Sequence, residues 1–320
     1  MDKSLLNSAR QAFHQAHKIL ITSHQRPDGD AIGSVLGLGL ALQNAGKEVQ
    51  MVLVDGVPGS FRHLIGSEQI EKNPKGDFDI TVILDASDLE RIGDVLDRGK
   101  KPTLNIDHHI TNLNFAEINI INHNAAATTE ILWEYMYDFG LTITQPIAEA
   151  LLTGLITDTI GFRTSNVTSK TLRIAADLVD LGCDLPYLYQ EALLNRPFNA
   201  ARYWGAGLTS LKMENRLVWA ELTQENRKSV GYPGRDDADL INVLSTIKDA
   251  DISLIFIEQK NGTVKVSWRA QAGFDVSEIA AHFGGGGHKA AAGAEIPGDL
   301  ETVKTEVLKA SQELLKQNLI

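Results

Sequence analysis

The sequence predicts an α/β protein in which a doubly wound, mostly parallel sheet forms the N-terminal domain and a smaller α/β domain with a mixed sheet follows. Two observations indicate this. Short apolar, β-branched segments alternate with helical patterns over the first half of the chain, which is typical of a parallel sheet buried on both faces. After Gly182 the alternation stops, and a hairpin pattern, a glycine run and a final helix follow. At 320 residues the chain is long enough for two domains.

In the first half, the predicted strands come from the apolar segments and the predicted helices from the stretches between and after them. The strands are KILITS (18–23), VQMVLVD (49–55), DITVILD (79–85), PTLNID (102–107) and AEINIIN (116–122). The helices are 31–46, for which Gly46 is a stop signal, 125–140, 146–162 and 168–182.

In the second half, the clearest pattern is a β-hairpin at 250–270, whose two strands flank the Asn-Gly of QKNG. A further strand is predicted at 216–223, a short helix after Asp275 and a final helix at 301–318. We therefore predict one domain at 1–182, a connector at 183–208 and a second domain at 209–320.

Composition limits the classes of protein to consider. The net charge of −11 argues against a broad surface for long nucleic acid, but it permits a short nucleotide held in a pocket. There is no apolar run long enough for a membrane span, and the amphipathic N-terminus does not resemble a signal peptide. Cys183 is the only cysteine, which excludes an intramolecular disulfide and suits a reducing cytosol, so we expect a cytoplasmic protein. The oligomeric state stays open, a homodimer included.

Acidic and imidazole side chains follow three of the predicted strands. They are His24, Asp28 and Asp30 after the first, Asp85 at the end of the third, and Asp107, His108 and His109 at the end of the fourth. In open α/β sheets, ligands bind at this edge. Simpler explanations stand beside this one: Asp28 and Gly29 can form a turn that Asp30 follows as a helix cap.

A fourth acidic residue lies in a buried helical pattern. Asp158 needs a partner there, because an unpaired buried charge is costly. The hydroxyl groups of Thr157 and Thr159 are one alternative, and a metal ion is another. Together with His24 and His108, the carboxylates of Asp28, Asp30, Asp85 and Asp158 make a set of four acids and two imidazoles. The four negative charges would repel one another unless cations neutralised them, and two divalent ions would do so. Oxygen and imidazole ligands without sulfur favour Mn²⁺ over a structural zinc ion.

Taken in order, these residues resemble the four motifs of the DHH phosphoesterases. Nearly the whole chain is similar to the two-domain branch that contains nano-RNases also acting on 3′-phosphoadenosine 5′-phosphate (pAp). The resemblance implies one metal held by His24, Asp28 and Asp85, and another held by Asp30, Asp85, His108 and Asp158. It also implies that His109 contacts the scissile phosphate, with Asp85 and Asp107 completing the catalytic set.

For the second domain, the resemblance implies a binding site for the substrate's non-scissile phosphate and sugar. The residues concerned are Arg269, Gly286, Gly287 and His288. Two simpler explanations remain open, namely that the glycine run 284–287 is a flexible linker and that Arg269 is an ordinary solvated strand residue.

The function implied is two-metal hydrolysis of short oligoribonucleotides to mononucleotides, and removal of the 3′-phosphate from pAp. Short RNA and pAp are then the partners, and two divalent cations, Mn²⁺ by preference, the cofactors. The alternatives are a hydrolase of linear or cyclic di-AMP, an inorganic pyrophosphatase, and a nucleotide-binding regulator without turnover. The sequence GGGGHKAAAG favours a nucleotide over bare pyrophosphate.

Overall fold

The computed structural model describes residues 2–96 and 99–317. The chain divides into two compact units, the first ending at Asn195 and the second beginning at Arg196. This division falls within the segment 183–208 that the sequence predicts as a connector. In the part of the chain that the structure describes, no helix is both long enough and apolar enough to cross a membrane.

The first unit is built on a five-stranded parallel sheet, with strand order β2-β1-β3-β4-β5. Its strands are β1 Lys18–Thr22, β2 Glu48–Val52, β3 Ile80–Leu84, β4 Leu104–Asp107 and β5 Ile118–Ile121. Its helices are α1 Lys3–Gln15, α2 Gly29–Asn44, α3 Thr128–Tyr135, α4 Gln145–Asp158, α5 Ser169–Asp180 and α6 Leu185–Tyr189. The predicted α/β class with a parallel sheet is confirmed.

Both faces of the central strand β1 are buried, which explains its continuous apolar sequence. Ile19 and Ile21 pack into the main core on one face, together with residues of α2 and α4. Leu20 points to the opposite face and joins a smaller cluster with Val52 and Ile83. The chain turns from β2 on one side of β1 to β3 on the other, so the direction of winding reverses between β1 and β3. Such a reversal opens a crevice at the carboxyl ends of the two strands.

The second unit contains a six-stranded mixed sheet, with order β10-β11-β9-β8-β7-β6. The pair β7 and β8 is parallel and the other pairs are antiparallel. The strands are β6 Lys212–Glu214, β7 Leu217–Leu222, β8 Ile252–Glu258, β9 Thr263–Ala270, β10 Gly286–His288 and β11 Ala291–Pro297. The helices are α7 Phe198–Thr209, α8 Gln224–Val230, α9 Leu240–Leu244, α10 Val276–His282 and α11 Leu300–Gln317. The predicted mixed sheet and the hairpin at 250–270 are confirmed.

Several elements differ from the sequence prediction in their extent; helix α3, for example, occupies only Thr128–Tyr135 of the predicted 125–140. Helix α4 ends at Asp158, four residues before the predicted end, because Ile160, Gly161 and Phe162 adopt left-handed backbone angles, with φ of 48°, 68° and 67°. The final helix occupies Leu300–Gln317, and position 318 of the predicted helix lies outside the described residues.

The glycine run is ordered structure, which excludes the flexible-linker interpretation. Gly284 has φ of 76° and donates its N–H to the carbonyl of Ala281, while Gly285 donates to the carbonyl of Ala280. These two bonds close the C-terminus of α10 in the manner of a Schellman motif, which requires a left-handed residue. The following residues then form β10, a strand that the sequence did not predict.

Candidate active site

The carboxyl edge of the parallel sheet gathers the acidic and imidazole side chains of the first unit. His24 follows β1, Asp85 follows β3 and Asp107 ends β4, so three strand ends deliver them to the crevice. Asp85 itself has a left-handed backbone, with φ of 52°. A non-glycine residue in that conformation is strained, and such strain is concentrated at functional sites.

Three groups of potential ligands share the carboxylate of Asp85, and within each group the donor atoms lie within 4.8 Å of one another. One group adds His24 and Asp28, the second adds Asp30 and His108, and the third adds Asp107 and His109, which are hydrogen-bonded to each other. Nε2 of His24 lies 3.5 Å from Oδ2 of Asp85, and Nε2 of His108 lies 3.7 Å from Oδ1 of the same residue. The two oxygens of Asp85 therefore face different histidines.

The two histidines present the same nitrogen to these carboxylates. Nδ1 of His24 lies 2.8 Å from the carbonyl oxygen of Gln25, and Nδ1 of His108 lies 3.3 Å from that of Ala125. A carbonyl oxygen only accepts, so each Nδ1 carries the hydrogen. In the neutral ring, Nε2 then holds a lone pair that faces carboxylate oxygens. Either a proton or a metal ion must lie between them, and an Nδ1–H bond to a carbonyl is a common way of orienting a metal-binding histidine.

The separations fit a shared cation better than direct hydrogen bonds. Ligand atoms about 2.1 Å from a transition-metal ion, at an angle of roughly 110°, lie about 3.4 Å apart. Nε2 of His24 is 3.7 Å from Oδ1 of Asp28, and Nε2 of His108 is 3.6 Å from Oδ2 of Asp158. These distances are too long for strong hydrogen bonds. The residues present therefore fit a pair of divalent cations, with Asp85 contributing to both positions.

Electrostatics lead to the same requirement. Burial, with repulsion from Asp85, raises the pKa of Asp30 to about 7. Burial and repulsion from Asp30 raise the pKa of Asp158 well above its usual range. Burial opposes a charge on His24, yet its contacts with Asp28 and Asp85 raise its pKa well above the ordinary value. Without cations the pocket must take up protons, whereas cations would allow the carboxylates to ionise.

Asp158 is the last residue of α4, where its carboxylate adds to the negative end of the helix dipole. The hydroxyl of Thr157 donates to the carbonyls of Thr153 and Gly154, and that of Thr159 donates to Leu155. These hydroxyl groups are thus committed to their own helix, which excludes them as the partners of Asp158. The partners that remain for this carboxylate are His108, whose Nε2 lies 3.6 Å away, and a cation shared with that histidine.

Asp28, rather than Asp30, caps helix α2. Its Oδ1 accepts hydrogen bonds from the backbone N–H groups of Asp30 and Ala31, both 3.1 Å long. Asp30 lies in the first turn and is buried, with 1% exposure. The simpler explanation in which Asp30 serves as the helix cap is therefore wrong, and its carboxylate points into the protein instead.

Asp107 orients the second histidine of the adjacent pair. Its Oδ1 lies 2.7 Å from Nδ1 of His109 and accepts a 2.8 Å bond from the backbone N–H of His108. On the other side, Asn112 donates to Oδ2 of Asp107 over 2.6 Å and to Asn105 over 2.8 Å. A carboxylate held from both sides fixes the ring of His109. The short Asp107–His109 contact is a hydrogen bond, so those two atoms are poorly suited to share a cation.

In the second unit, three of the four predicted substrate residues, Arg269, Gly286 and His288, lie on one face of the sheet, whereas Gly287 lies in the row of Ala292 and Trp268, which faces the other way. Residues directly opposite in antiparallel strands share a face. Two neighbouring rows across β10, β11 and β9 are His288–Ala291–Arg269 and Gly286–Gly293–Ser267. The face therefore has an imidazole and a guanidinium at its sides and a floor with almost no side chains.

Arg269 is held by its neighbours rather than dispersed in solvent. Its Nε donates to Oδ1 of Asn242 over 3.3 Å, and its Nη1 donates to the carbonyl of Trp268 over 3.0 Å. The side chain is only partly exposed, unlike an ordinary solvated strand residue. Along β9 it alternates with buried residues such as Trp268.

The four glycines of the run 284–287 differ in whether, and why, the fold requires glycine at their positions. A Cβ atom on Gly285 would lie 2.1 Å from the carbonyl oxygen of Gly293, and one on Gly287 would lie 2.5 Å from that of Ala291. Both glycines are therefore needed for the close approach of β10 and β11. Gly286 alone has no described atom within 4 Å of its Cβ position and no left-handed φ. Nothing in the fold requires glycine there.

Several residues of the site were not found from the sequence. Thr128 and Thr129 contact the carboxylates of Asp30 and Asp85, Asn112 holds Asp107, and Asn242 holds Arg269. Local sequence gives no signal for these contacts, since each depends on the tertiary fold. The assignment of the predicted residues as metal ligands and substrate contacts stays a prediction.

Comparison with known proteins agrees with this architecture. Residues 18–155 match the DHH family, N-terminal domain, and residues 222–317 match the DHHA1 domain. The chain is 34% identical over 305 residues to the bifunctional oligoribonuclease and PAP phosphatase NrnA of Thermus thermophilus, covering 93% of this chain and 90% of that one. It is 30% identical to the protein of the same name from Mycoplasma genitalium, over 92% of this chain and 94% of that one.

A solved structure covers almost the same length. The exopolyphosphatase-related protein from Bacteroides fragilis superposes with a TM-score of 0.87 at 26% identity, covering 99% of this chain and 96% of that one. The similarity therefore includes both units and is not confined to the parallel sheet.

Proposed function

The chain belongs to the DHH family and is a phosphoesterase, and from that premise we propose that it hydrolyses short oligoribonucleotides to mononucleotides and removes the 3′-phosphate from pAp. The names of the relatives from Thermus thermophilus and Mycoplasma genitalium support this pair of substrates. The observation that carries the proposal is the position of Asp85 between two groups of ligands, since hydrolysis of phosphoesters commonly uses two metal ions that share a ligand.

We propose that His24, Asp28 and Asp85 hold one divalent cation and that Asp30, Asp85, His108 and Asp158 hold the other. Carboxylate and imidazole ligands without sulfur favour Mn²⁺. When bound, the two cations supply a nucleophile at neutral pH and neutralise charge on the phosphoryl oxygens. The carboxylates hold the cations in place, and the Nδ1–H bonds of His24 and His108 orient the rings for that purpose.

His109 has a different part in this proposal. Its ring is fixed by Asp107, which in turn is fixed by Asn112. Burial lowers the pKa of His109, but the bond to Asp107 and the charge of Asp85 together outweigh this and raise it, which favours the ring that is protonated on both nitrogens. Nε2 of that ring can donate a hydrogen bond to the phosphoryl group without reorganisation as charge develops there. His109 therefore stabilises the transition state, while Asp107 acts by positioning it.

The face of the second unit supports a nucleotide rather than bare pyrophosphate. A guanidinium suits a phosphate group because it is planar and permanently charged. We propose that Arg269 and His288 bind the non-scissile phosphate and sugar, with Gly286 in the floor of the neighbouring row and Gly287 contributing through its backbone. The net charge of −11 agrees with a short substrate, because a long polyanion would be repelled.

A substrate panel tests this proposal. With Mn²⁺ present, kcat/KM should be high for pAp and for RNA of two to five nucleotides. It should be at least ~100-fold lower for cyclic di-AMP and pyrophosphate, since a site built for polar groups rejects substrates that leave those groups unpaired. Initial rates of phosphate and mononucleotide release measure the series. Pyrophosphate as the best substrate, or no turnover of any member, would overturn the proposal.

The glycines of β10 give a matched pair of variants. Gly286→Ala should leave the melting temperature unchanged, because its Cβ meets nothing within 4 Å, but it should raise KM for pAp by ~10-fold through contact with the substrate. Gly287→Ala should destabilise the protein by at least ~2 kcal/mol, because φ is 143° and its Cβ would meet Ala291. Thermal unfolding and pAp kinetics separate the two effects. An unchanged KM in Gly286→Ala would remove Gly286 from the proposed substrate face.

A further inference from the structure

Helix α3 begins without a capping side chain of its own. Its N-cap is Ala127, whose side chain has no atom that could accept the first N–H groups. These groups need an acceptor where the helix start is buried. The acceptor is Asp30, which comes from α2 and lies 98 residues earlier than Thr128.

The contacts with Asp30 occupy both of its oxygens. The N–H of Thr128 donates to Oδ2 over 2.6 Å, and the N–H of Thr129 donates to Oδ1 over 3.0 Å. The hydroxyl of Thr129 adds a 2.7 Å bond to Oδ1. Three donors therefore hold one carboxylate, at the end of a helix where the dipole favours negative charge.

The same turn of helix also reaches Asp85. The hydroxyl of Thr128 donates to Oδ1 of Asp85 over 3.1 Å. Thr128 thus contacts Asp30 through its backbone and Asp85 through its side chain. Its backbone angles are fixed by the helix and its χ1 angle is restricted by β-branching. The distance between the two carboxylates is consequently set by the covalent geometry of a single residue.

We propose that Thr128 is a positioning residue that fixes Asp30 and Asp85 relative to each other, and that Thr129 assists by locking Asp30. Two carboxylates that repel would otherwise turn away from each other, because an aspartate side chain has two rotatable bonds. Helix α3 is a suitable support, since Ile131 and Leu132 are fully buried in the main core. This inference rests on the proposed phosphoesterase site, in which these two carboxylates hold the second cation.

Thr128→Val tests it, because valine keeps the shape and the backbone N–H but removes the hydroxyl. Mn²⁺ titration calorimetry should show one site unchanged and the other weakened by ~10–100-fold, the usual effect of losing an outer hydrogen bond. The paramagnetic resonance spectrum of the Mn²⁺-loaded protein should lose the signature of a coupled pair. Thr128→Ser, which restores the hydroxyl, should recover both properties.

Thr153→Val is the matched control. Thr153 is fully buried on α4, and its hydroxyl has no hydrogen-bond partner among the described residues. Its replacement should leave both Mn²⁺ affinities and the spectrum unchanged. A Thr128→Val protein with two sites of normal affinity and a normal coupled spectrum would overturn the inference.

Two further measurements keep the outcomes distinct. If Thr128→Val does not fold, Thr129→Val takes its place, since it removes only the hydroxyl bond to Asp30 and should weaken one Mn²⁺ site alone. Normal binding by that variant would then refute the inference. The wild-type protein separates the proposed function from the positioning role of Thr128. If the wild type failed to bind Mn²⁺ or to hydrolyse pAp, the proposed function itself would be refuted.

Discussion

Replacing Asp85 with Asn abolishes hydrolysis of both pAp and short RNA, with kcat/KM falling by at least ~10³-fold. Asp85 belongs to both of the proposed ligand sets, so an amide in its place should weaken both proposed cation positions at once. A metal pair contributes several kcal/mol to transition-state stabilisation, and each ~1.4 kcal/mol is a factor of ten. Steady-state kinetics on both substrates, with Mn²⁺ saturation checked for each protein, measure the loss.

The fold of this variant should persist. Asparagine has nearly the same shape, and removal of one negative charge relieves the repulsion that raises the pKa of Asp30. The melting temperature without metal should therefore be equal to that of the wild type or higher, while the stabilisation by Mn²⁺ should shrink. Asp177→Asn removes the same charge from an exposed position on α5 and should change neither property. Full activity in Asp85→Asn would refute the shared-ligand assignment.

The location of the site could be predicted because strand ends are visible in the sequence. The apolar runs of β3 and β4 end at Asp85 and Asp107, and parallel strands deliver their carboxyl ends to one edge. The residue types at those ends then indicated the chemistry. By contrast, the contacts of Thr128 join residues 98 positions apart, and no local pattern reveals such a distance.

The missing strands have a different cause. β10 and β11 are composed largely of glycine and alanine, which have little intrinsic preference for strands. β11 forms nevertheless, because it pairs with β9 and buries Ala292, Ala294 and Ile296. The alternating burial along β11 depends on its neighbour β9, which is adjacent only in the folded unit, so the local sequence does not predict it.

The early end of α4 shows how apolar patterning misleads. Ile160 and Phe162 continue the apolar sequence, so the helix was predicted to include them, yet both have left-handed backbone angles. Gly161 was the local sign of a break, and it packs against Tyr189 so closely that a Cβ would lie 2.3 Å from the hydroxyl oxygen. The sharp turn leaves Asp158 at the end of the helix, where the carboxylate reaches His108.

Replacing His109 with Gln lowers kcat by ~10²–10³-fold, the usual cost of removing one donor that stabilises developing charge. Unlike Asp85→Asn, this change leaves the affinity for Mn²⁺ intact, because Nδ1 of His109 is bonded to Asp107 over 2.7 Å. Rapid-quench kinetics on pAp and Mn²⁺ titration of the same preparation measure the two quantities. The matched control is His14→Gln, an exposed position on α1, which should behave like the wild type.

Asp85→Asn and His109→Gln together distinguish a metal ligand from a group that acts on the phosphate. Nδ1 of His109 also lies 3.6 Å from Oδ1 of Asp85, close enough for the histidine to serve as a ligand if Asp107 released it. In that case His109→Gln would lose one equivalent of bound Mn²⁺ along with activity. Such a result would contradict the assigned role, because a histidine that acts on the phosphoryl group alone can be removed without emptying a metal position.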